Sequence, residues 1–225
     1  MVIMNDETDI MGRQGLQFFG KISASVSHEI KNVLAVIGEN AGLLQDLASL
    51  AETGKAIEPE RLIRLSKDIM KQIQRADTIM KHLNKLAHSV DNRLATVDLG
   101  GLVEPVAQLC ARFASLQGVT LQIKLPAYPI MVATNPFLLE NLIGICIDAA
   151  TDSAGASKSV MIQVESTELG ARIRFSGLNV TAGQATGLFT SKPELALLAA
   201  LKAVIEINAG PGELVLTLPP DIGAQ

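Results

Sequence analysis

Residues 25–37 read SVSHEIKNVLAVI, and three of them could do chemistry together: His28, Glu29 and Asn32. The apolar residues around them, Val26, Ile30, Val33 and Ile37, recur at steps of three and four, which predicts an amphipathic helix. On such a helix His28 lies about 200° around from both Val26 and Ile30, so it faces solvent. Asn32, four residues on, shares that face, and Glu29 is adjacent and turned by about 100°. A solvent-facing neutral imidazole can reach the phosphorus of a partner's acyl phosphate or of ATP and take up a phosphoryl group. A neighbouring carboxylate that accepts the other ring proton raises the ring's nucleophilicity. An amide one turn away could hold a water in line for hydrolysis of an aspartyl phosphate. The plain alternative is a surface histidine with solvated neighbours, and periodicity alone does not separate the two.

Two elements must position such a group. From about Leu16 to Leu50 the apolar residues Phe19, Ile22, Val26, Ile30, Val33, Ile37, Ala41, Leu44 and Leu47 form one stripe. At about 1.5 Å per residue this is a helix of roughly 50 Å. A loop, ETGKAIEPE, follows, with Gly54 to stop one helix and Pro59 to start the next. The second helix, from about Pro59 to Ala87, repeats the stripe with Leu62, Leu65, Ile69, Ile73, Ala76, Met80 and Leu83. Its other face carries Arg61, Arg64, Lys67, Lys71, Arg75, Lys81 and Lys85. Two long helices with a short connection make an antiparallel hairpin. One hairpin cannot cover both stripes, so two chains are expected to pair as a homodimeric four-helix bundle. Cover by the chain's own C-terminal half is the alternative.

The helical rhythm ends around Ser89 to Ala95, and the rest reads as mixed. Helices are expected at Leu102–Gln117, Pro136–Ala150 and Pro193–Asn208, with strands at Val119–Lys124, Ser159–Glu165, Ala171–Ser176 and Glu213–Leu218. Helices segregated beside an antiparallel sheet give an α+β sandwich. The expected organisation is an N-terminal tail over 1–15, the helical hairpin over 16–91 and the α/β sandwich over 92–225.

Composition narrows the function classes. Of 225 residues 48% are apolar, yet there is no Trp and a single Tyr, which suits helices packed on aliphatic side chains. A net charge of -4 argues against an electrostatically driven nucleic-acid partner. The acidic start MVIMNDETDIMGRQG has no apolar run and is not expected to be a signal peptide. The longest apolar runs are broken by Asp148 or Lys202, so no membrane span is expected. Cys110 and Cys146 lack metal-ligand spacing and read as reduced core residues of a cytoplasmic protein. His82 and His88, late in the second helix, lack the Glu and Asn neighbours and read as surface residues. Asp148 and Asp152, four apart, read as a solvated face.

SVSHEIKNVLAVI resembles the phosphoacceptor box of bacterial two-component sensor histidine kinases, S-x-x-H-E-[IL]-[RK]-N-P-L. Ser25, His28, Glu29, Ile30, Lys31, Asn32 and Leu34 match it. Val33 stands where the family usually has Pro, which keeps the helix straight and removes no reacting group. VDLGGLVEPVAQLCARFASLQGVTLQIKLP is similar to the entry into that family's ATP-binding domain, and ATNPFLLENLIGICIDAATDSA to its next segment. FTSKPE, the apolar helix after it and GELVLTLP resemble its last third.

The resemblance also shows what is missing. Aligning Asn135-Pro136 with the family's D-P puts Ala149 where the Mg²⁺-binding Asn should stand, and Ala has no oxygen for a hard cation. The family's D-x-G-x-G after a strand is replaced by SGLNVTAG, without the Asp and with displaced glycines. The glycine cluster that meets phosphates at the start of the last helix is replaced by KPELALLAALKAV, where Glu194 and Leu195 would repel or block a triphosphate. SAGASKS, at 153–159, reads as a connection. The resemblance therefore implies a degenerate ATPase-like domain that holds no cofactor, and a phosphotransferase that is not an ATP-dependent autokinase. His28 would accept the phosphoryl group, with Glu29 activating the ring and Asn32 beside it. Response-regulator receiver domains would be the partners, supplying Mg²⁺ at their own site and steered by Lys31, Lys67 and Lys71. A receiver phosphatase using Asn32, a kinase with divergent nucleotide contacts and a non-catalytic scaffold are the competing functions.

Overall fold

The computed structural model describes residues 2–180 and 189–224, with side chains from Ile10 onward. Helix α1 spans Val2–Glu52 and helix α2 spans Pro59–Ser89. Between them Gly54 takes a left-handed φ of 82°, and the backbone there returns hydrogen bonds to the carbonyls of Leu50 and Ala51. Those bonds satisfy carbonyls that the end of a helix otherwise leaves unpaired. The helix begins at Val2, earlier than the Leu16 start of the apolar stripe, so residues 2–15 continue α1 rather than form a separate tail.

The remaining elements are β1 (Ala95–Asp98), α3 (Leu99–Leu116), β2 (Thr120–Lys124), β3 (Met131–Thr134), α4 (Pro136–Asp152), β4 (Ser159–Thr167), β5 (Gly170–Ser176), α5 (Lys192–Ala200), β6 (Val204–Asn208) and β7 (Glu213–Leu218). One sheet has the order β2-β4-β5-β7-β6, and β1 pairs with β3 in a second, two-stranded sheet. The large sheet is antiparallel except at β2, which runs parallel to β4. A parallel neighbour needs a crossover, and here β3 and α4 supply it. On the buried face Ile162 stands opposite Phe175, and Ile173 opposite Leu216. Against that face lie Leu139, Leu142, Ile143, Cys146 and Ile147 of α4 with Leu102, Val103, Val106 and Cys110 of α3, all buried. The result is a mixed α+β chain: two long helices, then an α/β sheet domain.

One expected helix is divided. The segment read as a single helix over Pro193–Asn208 is the short α5, a turn, and strand β6. Leu201 ends the helix and Lys202 has a φ of 48°, which an α-helix cannot continue through. After it VIEIN has β-branched residues at three of its positions and pairs along β7.

The chain forms two compact units: Ser23–Asn84, and Met1–Ile22 together with Lys85–Gln225. The α/β unit thus includes the beginning of α1 and the end of α2, so the division does not fall at residues 91 and 92. In the helical unit Val26, Val33, Leu47, Leu65 and Ile79 are buried. Leu34, Leu43, Ile63, Met70, Ile73 and Met80 are large apolar side chains left exposed there. By length and composition α1, over Ile10–Glu52, is apolar enough to cross a bilayer, a test that core helices of soluble proteins also pass. Counting uninterrupted runs missed it because Glu29, Lys31, Glu39 and Asp46 break the sequence.

Candidate functional site

The turn of α1 around His28 is sorted by its own periodicity. Ser25, Val26 and Val33 are buried, Glu29 and Ile30 half-buried, and His28, Lys31 and Asn32 exposed. His28 is exposed and makes no hydrogen bond or ion pair among the described residues. Asn32 stands one turn on, also exposed.

Glu29 is engaged elsewhere. Its Oε1 accepts a hydrogen bond from Arg75 Nη2 at 2.8 Å, across the hairpin. The carboxylate is 19% exposed and the guanidinium 56%. The more exposed arginine therefore reaches in from the rim to a mostly buried carboxyl group. No hydrogen bond joins Glu29 to the His28 ring, the partner the sequence suggested for it. Arg75 is the Glu29 partner that the sequence left within a general basic face. Lys67, Lys71 and Arg75 follow one another at steps of four, so they line one edge of α2. Lys67 and Lys71 are exposed and have no partner among the described residues. That edge ends, through Arg75, on the residue next to His28. Its signal in the sequence was the four-residue step, combined with the antiparallel pairing of the hairpin. The other histidines differ: His88 Nδ1 lies 3.2 Å from Asp91 Oδ2 in an exposed pair three residues apart.

The α/β unit bears on whether this chain could hold a nucleotide. Ala149, at the Mg²⁺-ligand position, lies on α4 between Asp148, which is ion-paired to Lys21, and buried Ala150. The start of α5 is closed on itself by a capping box. Ser191 Oγ accepts from Glu194 N at 3.4 Å, and Glu194 Oε2 accepts from Ser191 N at 2.9 Å. Pro193 has no N–H, and the Leu195 N–H donates to the Ser191 carbonyl. Among the described residues the Lys192 N–H has no acceptor in that turn, and the Glu194 carboxylate occupies the helix start. After β5, Gly177 has a φ of 89° and packs against the Ser159 carbonyl, where a Cβ would come within 2.4 Å. Its own carbonyl accepts from Gly155 N at 2.9 Å, and Asn179 N donates to Ser153 O at 2.7 Å. The backbone of these turns is thus bonded internally among the described residues. Thr181 to Gly183 of the SGLNVTAG segment lie outside the described residues. A cavity of 410 Å³ in this unit is lined by Pro126, Tyr128, Pro129, Met131 and Pro220, none of them a nucleotide position.

One buried acid stands out. Glu140 of α4 is 2% exposed, and its Oε2 has no hydrogen-bond partner among the described residues. Burial pushes its carboxyl up to about 7, against the opposing influence of Ser89 and Lys85. Lys85 Nζ itself donates to the Gly101 carbonyl at 2.6 Å.

No family model matches the chain, and no curated protein does. Among solved structures it is similar to the histidine kinase AdeS of Acinetobacter baumannii, with a TM-score of 0.46 and 15% identity over 86% of this chain and 98% of that one. It is similar to the catalytic domain of the histidine kinase ThkA, with a TM-score of 0.48 and 13% identity over 58% of this chain and 99% of that one. It is also similar to the ATP-binding domain of PrrB from Mycobacterium tuberculosis, with a TM-score of 0.44 and 23% identity over 57% of this chain and 98% of that one.

Proposed function

We propose that the chain is a histidine phosphotransferase of a two-component phosphorelay, taking its phosphoryl group from a response-regulator receiver and not from ATP. The observation that carries this reading is an exposed, unbonded His28 in an H-E-x-x-N turn, in a chain whose nucleotide positions hold Ala149 and a self-capped Ser191–Glu194 turn. A ring nitrogen of His28 attacks the phosphorus of a receiver's aspartyl phosphate. The new P–N bond forms as the P–O bond to the aspartate breaks, and the carboxylate leaves with the electron pair. The reverse step delivers the group to a second receiver. Both species are high in energy, so no nucleotide enters the balance, and Mg²⁺ acts at the receiver's own site. Glu29, held by Arg75 at 2.8 Å, is the acidic neighbour of the ring in this turn. Lys31, Lys67 and Lys71 steer an acidic receiver surface. The exposed apolar residues of both helices fit a homodimeric bundle, and the setting is cytoplasmic.

Exposed Asn32, on the His28 face, favours a second reading, hydrolysis of the receiver's aspartyl phosphate. One experiment separates the two: incubation with radiolabelled ATP and, separately, with a labelled phosphorylated receiver. Label on His28 from the receiver alone supports transfer. Phosphate released without phosphohistidine, and dependent on Asn32, supports hydrolysis. Label from ATP alone overturns both in favour of a divergent kinase.

A further inference from the structure

Glycine is unfavourable inside a helix, so a helical glycine is informative when something occupies the space of its missing Cβ. Of Gly12, Gly15, Gly20, Gly38 and Gly42 on α1, only Gly15 has such a neighbour. A Cβ on Gly15 would stand 2.7 Å from the Phe137 ring of α4. The arrangement is reciprocated: a Cβ on Gly144 of α4 would stand 2.5 Å from the Phe18 ring of α1. Each helix thus offers a notch to the other's aromatic ring. Phe18 is 8% exposed and Ile22 is 1% exposed. Lys21 completes the seam, with its Nζ in an ion pair with Asp148 and 4.6 Å from the centroid of the Phe113 ring on α3. All of these residues belong to the α/β unit, and α1 runs on unbroken from Ile22 into the unit that carries His28.

We infer that Gly15–Ile22 is a built lock, and that the α/β unit serves in this chain as a fixed anchor for the start of the His28 helix. Two interlocked rings with an ion pair define one discrete seat for Gly15–Ile22 within the α/β unit. The lock depends only on these contacts, whereas its consequence for transfer rests on the phosphotransfer reading of His28.

A carbodiimide tests both parts on the full-length chain. It activates a carboxylate, a touching lysine amine displaces it to form an amide, and the reagent leaves as its urea. Peptide mapping is expected to find a Lys21–Asp148 link, absent from a Lys21→Ala chain treated identically. The linked protein is expected to accept phosphoryl from a phosphorylated receiver within about twofold of the unlinked rate, because no opening step is required. In unlinked protein, Gly144→Ala is expected to speed amide exchange over Ile10–Ile22 by roughly tenfold or more while the sheet amides keep their protection. Phe18→Ala is the second variant, opening the same seam by deletion instead of crowding. Failure to form the link, or exchange over Ile10–Ile22 unchanged by both variants, would overturn the lock. A linked protein that loses transfer while the treated Lys21→Ala chain keeps it would overturn the fixed anchor. If no sample ever carries phosphoryl on His28, the transfer reading falls, and the link and exchange data still decide the lock.

Discussion

Replacing Glu140 by Gln should stabilise this protein at neutral and alkaline pH, and the size of the effect can be worked out from its surroundings. Glu140 is buried on α4, its Oε2 has no partner among the described residues, and burial lifts its carboxyl from 4.5 to about 7. Lys85 and Ser89 face it and act in the opposite sense, but Lys85 donates to Gly101 O and Ser89 Oγ donates to Leu86 O. Because the folded state holds its proton more tightly than the unfolded state, unfolding releases a proton between those two values. The contribution of Glu140 to stability is therefore full below about 4.5, declines as pH rises, and levels off above about 7. The decline amounts to about 3 kcal/mol, since each pH unit of difference is about 1.4 kcal/mol. Gln keeps the shape and has no proton to lose, so the difference between variant and wild type should be near zero in acid. It should grow to about 3 kcal/mol by pH 8, which in a chain of this size is roughly 6–12 °C in Tm. Urea unfolding followed at a series of pH values from 4 to 8.5 measures that difference directly, with other titrating groups cancelling between the two proteins. Parallel stability curves, or a Gln variant less stable than wild type at pH 8, would refute the reasoning. The second outcome would mean that Lys85 holds Glu140 as an anion.

Other expectations follow from particular contacts. Asp98 caps α3 through Gly101 N and also accepts from Ile130 N, each at 3.0 Å, so Asp98→Ala should cost about 2 kcal/mol in a urea titration. Burial pushes the Cys110 thiol up to about 12 and Cys146 is raised as well, so a thiol reagent should modify neither until the protein unfolds. Lys67→Ala with Lys71→Ala should leave the Tm within about 1 °C, because both side chains are exposed and have no partner among the described residues. The same pair should slow receiver association several-fold at low salt and flatten its salt dependence, as read by stopped flow.

Much of this architecture was legible in the sequence because it depends on local signals. The two long stripes, the Gly54 and Pro59 boundary, and the starts of β4 and α4 come from periodicity and caps that neighbouring residues determine. What escaped depended on distant partners. β1 and β3 are four residues each and exist by pairing with one another, as in Val97 opposite Val132. VIEIN continued an apolar helical pattern, and only its place beside β7 makes it a strand. On α1 the buried ring is Phe18 while Phe19 is half-buried, because Phe18 faces Gly144 of a helix far along the chain. On α2 two apolar stripes run side by side, and a single chain buries Leu65, Ile79 and Leu86 while Ile73 and Met80 stay exposed. For the candidate site, the exposure of His28 and Asn32 followed from the helix wheel. The hold of Arg75 on Glu29 did not, since it requires knowing which turns of the hairpin face each other.

The most direct test of the phosphotransfer account is to expose the protein, freed of nucleotide, to a receiver domain phosphorylated beforehand, and then map the product by mass spectrometry. The account predicts an acid-labile phosphoryl adduct on the peptide containing His28, absent from His28→Ala and undiminished when ATP is withheld throughout. An adduct that forms only when ATP is supplied, or one that persists in His28→Ala, would contradict it.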